Sequence, residues 1–127
     1  MSDNESPMGR PGHFCWNELI TTDEAGAKTF YTRLLGWTAE PFGKGMDYMV
    51  LRKDKTGIGG LMKAPQPGMP AQWLPYVLVE DVDATVAQAA KLGGKVCKEP
   101  FDVPEVGRIA VVSDPQGAVF GVIKPSA

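Results

Sequence analysis

The first half of this 127-residue sequence carries a series of structural signals that the second half repeats in the same order. In each half an apolar segment precedes a helix-like segment, a glycine and the tripeptide Glu-Pro-Phe, which occupies residues 40–42 and 99–101. Another apolar segment follows, then a turn of the form Asp-x-x-Gly at 54–57 and 114–117, and then a last apolar segment. Because an internal repeat constrains a fold more than any single element does, the sequence predicts two modules, each built of one strand, one helix and three strands.

Each module is predicted to hold one amphipathic helix, over about residues 24–35 and 83–92. Apolar residues recur at helical spacing on both, as Ala27, Phe30, Tyr31 and Leu34 and as Val82, Val86, Ala89 and Ala90. Side chains that can cap a helix precede each segment, namely Thr21 or Asp23 and Asp81 or Asp83. A glycine, Gly36, can end the first helix.

These elements predict an α+β fold of two tandem βαβββ modules that form a curved mixed sheet, an open cup with the helices outside. Residues 1–12 are expected to be a flexible lead-in, and residues 13–124 a single domain. Within this domain a linker, 64–72, contains three prolines and joins a first module, 13–63, to a second, 73–124. Because small ligands bind on concave surfaces, the cup is the expected site.

The composition argues against several classes of function. The net charge is −2 and the basic residues are scattered, so no nucleic-acid partner is expected. No apolar run approaches the roughly 18 residues of a membrane span, so no membrane partner is expected. The polar N-terminus lacks the apolar core of a signal peptide, which predicts a cytoplasmic protein. Cys15 and Cys97 are too few for a disulfide framework and are expected to be buried thiols.

Three segments resemble the vicinal oxygen chelate superfamily, which includes glyoxalase I, extradiol dioxygenases, fosfomycin-resistance enzymes and bleomycin-binding proteins. They are "FYTRLLGW" at 30–37, "VEDVDATVAQAAKLGGKV" at 79–96 and "DPQGAVFGV" at 114–122. The resemblance covers about residues 13–124. It implies that metalloenzymes of this fold hold a divalent ion with His, Glu or Gln side chains from the first and last strands of each module.

Carried over to this sequence, those ligand positions fall on residues that do not bind metals. They are Trp16, Gly60 (or Leu61 if the register slips by one), Leu74 (or Pro75) and Gly121. The single histidine, His13, has the opposite strand parity and is expected at the surface. The resemblance therefore implies a member that lacks the metal ligands and needs no cofactor. A metal site built elsewhere from Glu18, Asp47 or Glu80 stays an alternative, although no pair has a recognised ligand spacing.

Strand alternation predicts which side chains face the cup. The expected ligand-binding set is Trp16, Glu18, Tyr48, Gly60, Trp73, Leu74, Tyr76 and Gly121. Gly60 and Gly121 are expected to leave room above the floor, although Gly60 could equally mark a bulge. Tyr48 and Trp73 are expected to reach the mouth. The site is thus predicted to be apolar and aromatic.

One carboxylate, Glu18, belongs to this set. It could accept a hydrogen bond from a ligand or act as a general base, which makes it the one candidate catalytic group. The alternatives are a salt bridge with Arg52 or Arg108 and a position at a solvent-exposed strand end.

The sequence supports three hypotheses of function. The first is a metal-free protein that binds a small apolar or aromatic molecule in the cup, in sequestration, resistance or an accessory role. The second is an enzyme, a divalent-metal-dependent glyoxalase- or dioxygenase-like lyase or isomerase, which the missing ligands disfavour. The third is a structural or dimerisation module with a filled cup. The resemblance also implies a homodimer, formed by side-by-side packing or by exchange of modules across the linker. Exposed strand edges and the Pro-rich linker are compatible with both modes.

Overall fold

The computed structural model describes residues 9–41, 48–104 and 106–126. The described elements follow the order β1 (Phe14–Thr21), α1 (Glu24–Leu35), β2 (Thr38–Pro41), β3 (Tyr48–Lys53), β4 (Thr56–Lys63), β5 (Gln72–Leu78), α2 (Val82–Lys91), β6 (Lys95–Val103), β7 (Gly107–Ser113) and β8 (Val119–Pro125). The α+β class and the tandem βαβββ order are confirmed. Phe42, Asp47 and most of the predicted lead-in lie outside the described residues.

The chain divides into two compact units. The first unit, Asn17–Trp73, has the strand order β2-β3-β4-β1, in which β1 runs parallel to β4 and the other pairs are antiparallel. The second unit joins the described residues before Asn17 to those from Leu74 onward and has the order β5-β8-β7-β6. Here β5 runs parallel to β8 and the other pairs are antiparallel. The sequence repeat is therefore a repeat of strand topology.

Both helices begin at an aspartate cap. The side chain of Asp23 accepts a hydrogen bond from the backbone N–H of Gly26 at 2.9 Å, and Asp81 accepts one from Ala84 at 3.0 Å. Gly36 ends α1 in the left-handed conformation, with φ of 72°. No helix in the described ranges combines the length and apolar character needed to cross a bilayer.

Helix α1 packs only half of its predicted apolar stripe against the sheet, and that half is only partly buried. Ala27 and Tyr31 pack against a buried core formed by Leu19, Leu51 and Leu61. Phe30 and Leu34, in contrast, are 57% and 62% exposed. Helix α2 differs, because Val82 and Val86 are buried against Ala110, Val112 and Val122. The first helix therefore presents an apolar outer face that the second helix lacks.

Arg108 on β7 ties the start of α2 to the sheet of the second unit. Its guanidinium binds both carboxylate oxygens of Asp83, with Nε–Oδ2 of 2.8 Å and Nη2–Oδ1 of 2.9 Å. Its Nη1 atom also donates to Asp102 Oδ1 at 3.2 Å. The hydrogen bond from Arg108 holds the pKa of Asp83 below its ordinary value of 3.8.

The two arginines that could have paired with Glu18 both bind other carboxylates. Arg108 binds Asp83 and Asp102, and Arg52 pairs with Glu40 at 3.3 Å.

The pair of Arg108 and Asp83 predicts a stabilisation that disappears in acid. Because the pKa of Asp83 is lowered by folding, the pair contributes fully above about pH 4 and less as the pH falls through the folded-state pKa. Urea unfolding of the wild type and of Arg108→Gln should therefore differ most near neutral pH and converge as the pH falls below 3.8 and through the lowered folded-state pKa. Lys28→Gln, which removes an exposed positive charge elsewhere, serves as the control. A difference that does not depend on pH would contradict this assignment.

Candidate functional site

In the first unit, a tyrosine fills the space over the glycine at a predicted metal-ligand position. Gly60 on β4 lies in register with Glu18 on β1. A β-carbon added at Gly60 would first meet the hydroxyl of Tyr48, whose side chain is 2% exposed. Leu61, the alternative ligand position, belongs to the core under α1. Gly60 is therefore the residue that faces Tyr48, and its missing side chain makes room for the phenol.

The second unit repeats this arrangement. Gly121 on β8 lies in register with Tyr76 on β5. A β-carbon at Gly121 would collide with the Tyr76 ring, which is fully buried. The expectation that Gly60 and Gly121 leave open room is wrong, because buried tyrosine side chains occupy both spaces. Leu74, two residues before Tyr76 on the same face, is fully buried too, whereas Pro75 is half-buried.

Glu18 places a carboxyl group on the Tyr48 face of the first unit. It is 0% exposed, which is rare for a glutamate and costs free energy unless the group is compensated. Glu18 is not without a partner, while its Oε2 atom is buried without a hydrogen bond among the described residues. A carboxyl group beside a phenol among apolar side chains can accept a hydrogen bond from a ligand or exchange a proton with it.

These residues do not fit a divalent metal. Gly60, Leu74 and Gly121 bring no donor atom to the predicted ligand positions, and a neutral phenol is a poor ligand for such ions. Within the part of the chain that the structure describes, no group of three or more His, Cys, Asp or Glu side chains is placed to hold a metal ion. His13 is exposed ahead of β1.

Trp73 does not belong to the Glu18 face. Its Nε1–H donates to the hydroxyl of Tyr31 at 3.1 Å, and its ring packs against Tyr31 and Trp37. We call Tyr31, Trp37 and Trp73 the aromatic cluster; it lies on the α1 side of the sheet. The expectation that Trp73 reaches the mouth of the cup beside Glu18 does not fit this placement. Trp16 is half-buried on β1.

Sequence reasoning missed the part that Tyr31 and Trp37 play in this cluster. A usable signal was present, since Trp37 directly follows the glycine that ends α1, where apolar contacts back to the helix are common. Strand alternation offered another, because a buried Leu74 requires Trp73 to point to the opposite face of β5.

Cys15 is a poor nucleophile in this structure. Burial raises the pKa of its thiol to about 11. A thiol reacts through its thiolate, so Cys15 stays protonated at neutral pH.

This pKa predicts slow alkylation. At pH 8 about one Cys15 thiol in a thousand is ionised, against roughly one in four for an ordinary thiol. A thiolate of higher pKa is the stronger nucleophile, which offsets part of this difference. In a Cys97→Ser variant, we therefore expect iodoacetamide to modify Cys15 more slowly than free cysteine, by about tenfold or more. Unfolding the variant in urea should restore the ordinary rate. A native rate close to that of free cysteine would contradict the assigned pKa.

The structure is thus that of a protein with two βαβββ modules. Its residues at the predicted metal-ligand positions on the first and last strands of each module are not metal ligands. The family model of the Glyoxalase/Bleomycin resistance protein/Dioxygenase superfamily matches residues 10–122. The chain belongs to this superfamily.

Two kinds of curated relatives are similar over most of the chain. CFP32 of Mycobacterium tuberculosis, named as a candidate glyoxylase, is 46% identical over 121 residues, which cover 94% of this chain and 46% of CFP32. The anthracycline biosynthesis protein DnrV of Streptomyces peucetius is 34% identical over 130 residues, covering 88% of this chain and 46% of DnrV. The chain thus spans about half the length of these relatives.

Solved structures share the fold at low identity. Methylmalonyl-CoA epimerase from M. tuberculosis matches with a TM-score of 0.56 and 17% identity, over 87% of this chain and 86% of the epimerase. A variant of homoprotocatechuate 2,3-dioxygenase from B. fuscum matches with a TM-score of 0.60 and 21% identity, over 99% of this chain and 36% of the dioxygenase. At these identities the likeness concerns the fold.

Proposed function

We propose that this chain is a metal-independent, small-molecule-binding member of the superfamily. One observation carries the proposal: at Gly60 and at Gly121 a tyrosine side chain occupies the volume in which a metal-ligating side chain would sit. The scaffold keeps the polar pair of Glu18 and Tyr48 in place of a metal centre. In this proposal the protein binds a small molecule in the cytoplasm, either to sequester it or to assist another protein that acts on it.

The proposed ligand is a planar, hydroxylated aromatic molecule. The face that bears Glu18 and Tyr48 offers apolar surface with one carboxyl group, which suits a largely apolar ligand carrying a hydrogen-bond donor. The name of DnrV points the same way, because anthracyclines are polycyclic aromatic compounds with hydroxyl groups. Since Glu18 and Tyr48 are buried, the ligand reaches them only when the side chains that cover them move.

The test uses purified, chelator-treated protein and 1,4-dihydroxyanthraquinone as the probe. We expect tryptophan fluorescence to report saturable binding without added metal, and Glu18→Gln to weaken it about tenfold or more. Glu99→Gln, at an exposed glutamate on β6, is the matched control. The proposal fails if the purified protein carries a stoichiometric metal ion on which binding depends, or if the probe does not bind.

A dimerisation module is the second candidate, and the filled space over both glycines favours it. The exposed Phe30 and Leu34 on α1 offer an apolar surface to a second copy of the chain. Light scattering should then give a dimer mass for the wild type and a monomer mass for Leu34→Glu. Lys28→Glu, on the same helix, is the control for the added charge. A monomeric wild type rejects this candidate.

A further inference from the structure

We propose that the aromatic cluster of the first unit forms a second binding site, for a neutral, planar aromatic molecule. This site lies on the opposite side of the sheet from Glu18. Asn17 and Gly59 line it, and they alternate along their strands with Glu18 and Gly60. The inference is therefore independent of binding at Glu18.

The three rings of the cluster make two walls at right angles. Tyr31 and Trp37 stack with their centroids 5.8 Å apart and their planes 13° apart. Trp73 stands at 86° to Tyr31 and at 87° to Trp37, with centroids 5.3 and 6.2 Å away. The hydrogen bond from Trp73 to the Tyr31 hydroxyl fixes this orientation. The walls are thus held in place before any ligand arrives, which reduces the entropy lost on binding.

A cavity of about 380 Å³ opens beside these walls. Its lining consists of Asn17, Trp37, Leu51, Ile58, Gly59 and Trp73. The volume lies at the lower end of the range for small-molecule sites, which suits a molecule of two fused rings. Gly59 in this lining has no room for a side chain, since an added β-carbon would lie 2.6 Å from the Asn17 carbonyl oxygen.

The lining also specifies the charge of the ligand. Among the residues that the structure describes, it contains no Asp, Glu, Lys, Arg or His, so an ion entering it would lose hydration without gaining a charged partner from them. Aromatic walls can attract an ammonium group, but no carboxylate of the described ranges lines this cavity to support one. The Asn17 amide supplies one donor group and one acceptor, which match a single hydroxyl or amide on the ligand.

A ligand in this cavity would cover the exposed part of the Trp73 side chain. Its side chain is 39% exposed although its ring is held on one side by Tyr31 and Trp37. Stacking of a planar molecule on this ring would bury apolar area and add an aromatic contact beyond that area.

The test follows the indole N–H signals of the three tryptophans by ¹H–¹⁵N NMR, assigned by single Trp→Phe variants, during titration with 2-naphthol. We expect the Trp37 and Trp73 signals to shift and saturate. Asn17→Asp puts a charge on an exposed residue at the edge of the cavity and should weaken binding about tenfold or more. Gln88→Glu, the same chemical change on exposed α2, should bind like the wild type.

Three results would overturn this site: no shift of the Trp37 and Trp73 signals, equal affinity in Asn17→Asp, or saturable binding of tetramethylammonium in place of 2-naphthol. Binding that Glu18→Gln abolishes and Asn17→Asp leaves unchanged would place 2-naphthol at the Glu18 face. That result would overturn the second site while supporting the proposed function.

Discussion

Gly121→Ala is expected to lower the free energy of unfolding by about 1–3 kcal/mol, the usual cost of overpacking a core. The added methyl group enters the volume of the Tyr76 ring, which is fully buried and cannot turn towards solvent. Tyr76→Leu should relieve this clash while costing about 2 kcal/mol itself through lost apolar contacts. The double variant should then be more stable than the sum of the two losses predicts, by about 1–2 kcal/mol. Urea unfolding followed by circular dichroism measures all four proteins.

Gly117→Ala is the control for this cycle. Gly117 has φ of 94° and no atom within 4 Å of an added β-carbon. Its replacement costs about 1 kcal/mol through backbone strain alone, so it should be additive with Tyr76→Leu. If the pair of Gly121 and Tyr76 is also additive within about 0.5 kcal/mol, the ring does not fill the space over the glycine.

Local signals explain why the helices and strands could be predicted. An aspartate cap depends on residues within one turn, so Asp23 and Asp81 begin the helices as their positions suggest. Gly36 needs only its own left-handed conformation to end α1. The repeat predicts that both halves share one strand order, and the structure supplies that order.

The site could be predicted only in part, because its contacts depend on register between strands. Tyr48 pairs across β3 and β4 with Met62, and it reaches Gly60 as a diagonal neighbour. Sequence spacing does not reveal that contact, so the glycine was expected to leave a void. The exposure of Phe30 and Leu34 escaped prediction for a similar reason, since an apolar stripe shows which residues share a helix face without showing how much of it the sheet covers.

Glu18→Ala is expected to lower the free energy of unfolding by about 3 kcal/mol. The truncation opens a cavity at a fully buried position. Glu18→Gln keeps the volume and a carbonyl acceptor, so it should stay within about 1 kcal/mol of the wild type. Glu99→Ala, at an exposed glutamate, should change stability by less than about 0.5 kcal/mol.

The two Glu18 variants separate packing from binding. If Gln preserves stability but loses affinity for 1,4-dihydroxyanthraquinone, the carboxyl group serves the ligand, because the fold has been shown not to need it. If Gln is markedly more stable than the wild type and binds equally well, the carboxyl group serves neither purpose, and Glu18 leaves the proposed site. A loss of stability with Gln as large as that with Ala would show that the carboxyl group itself holds the fold together, since the glutamine fills the same space.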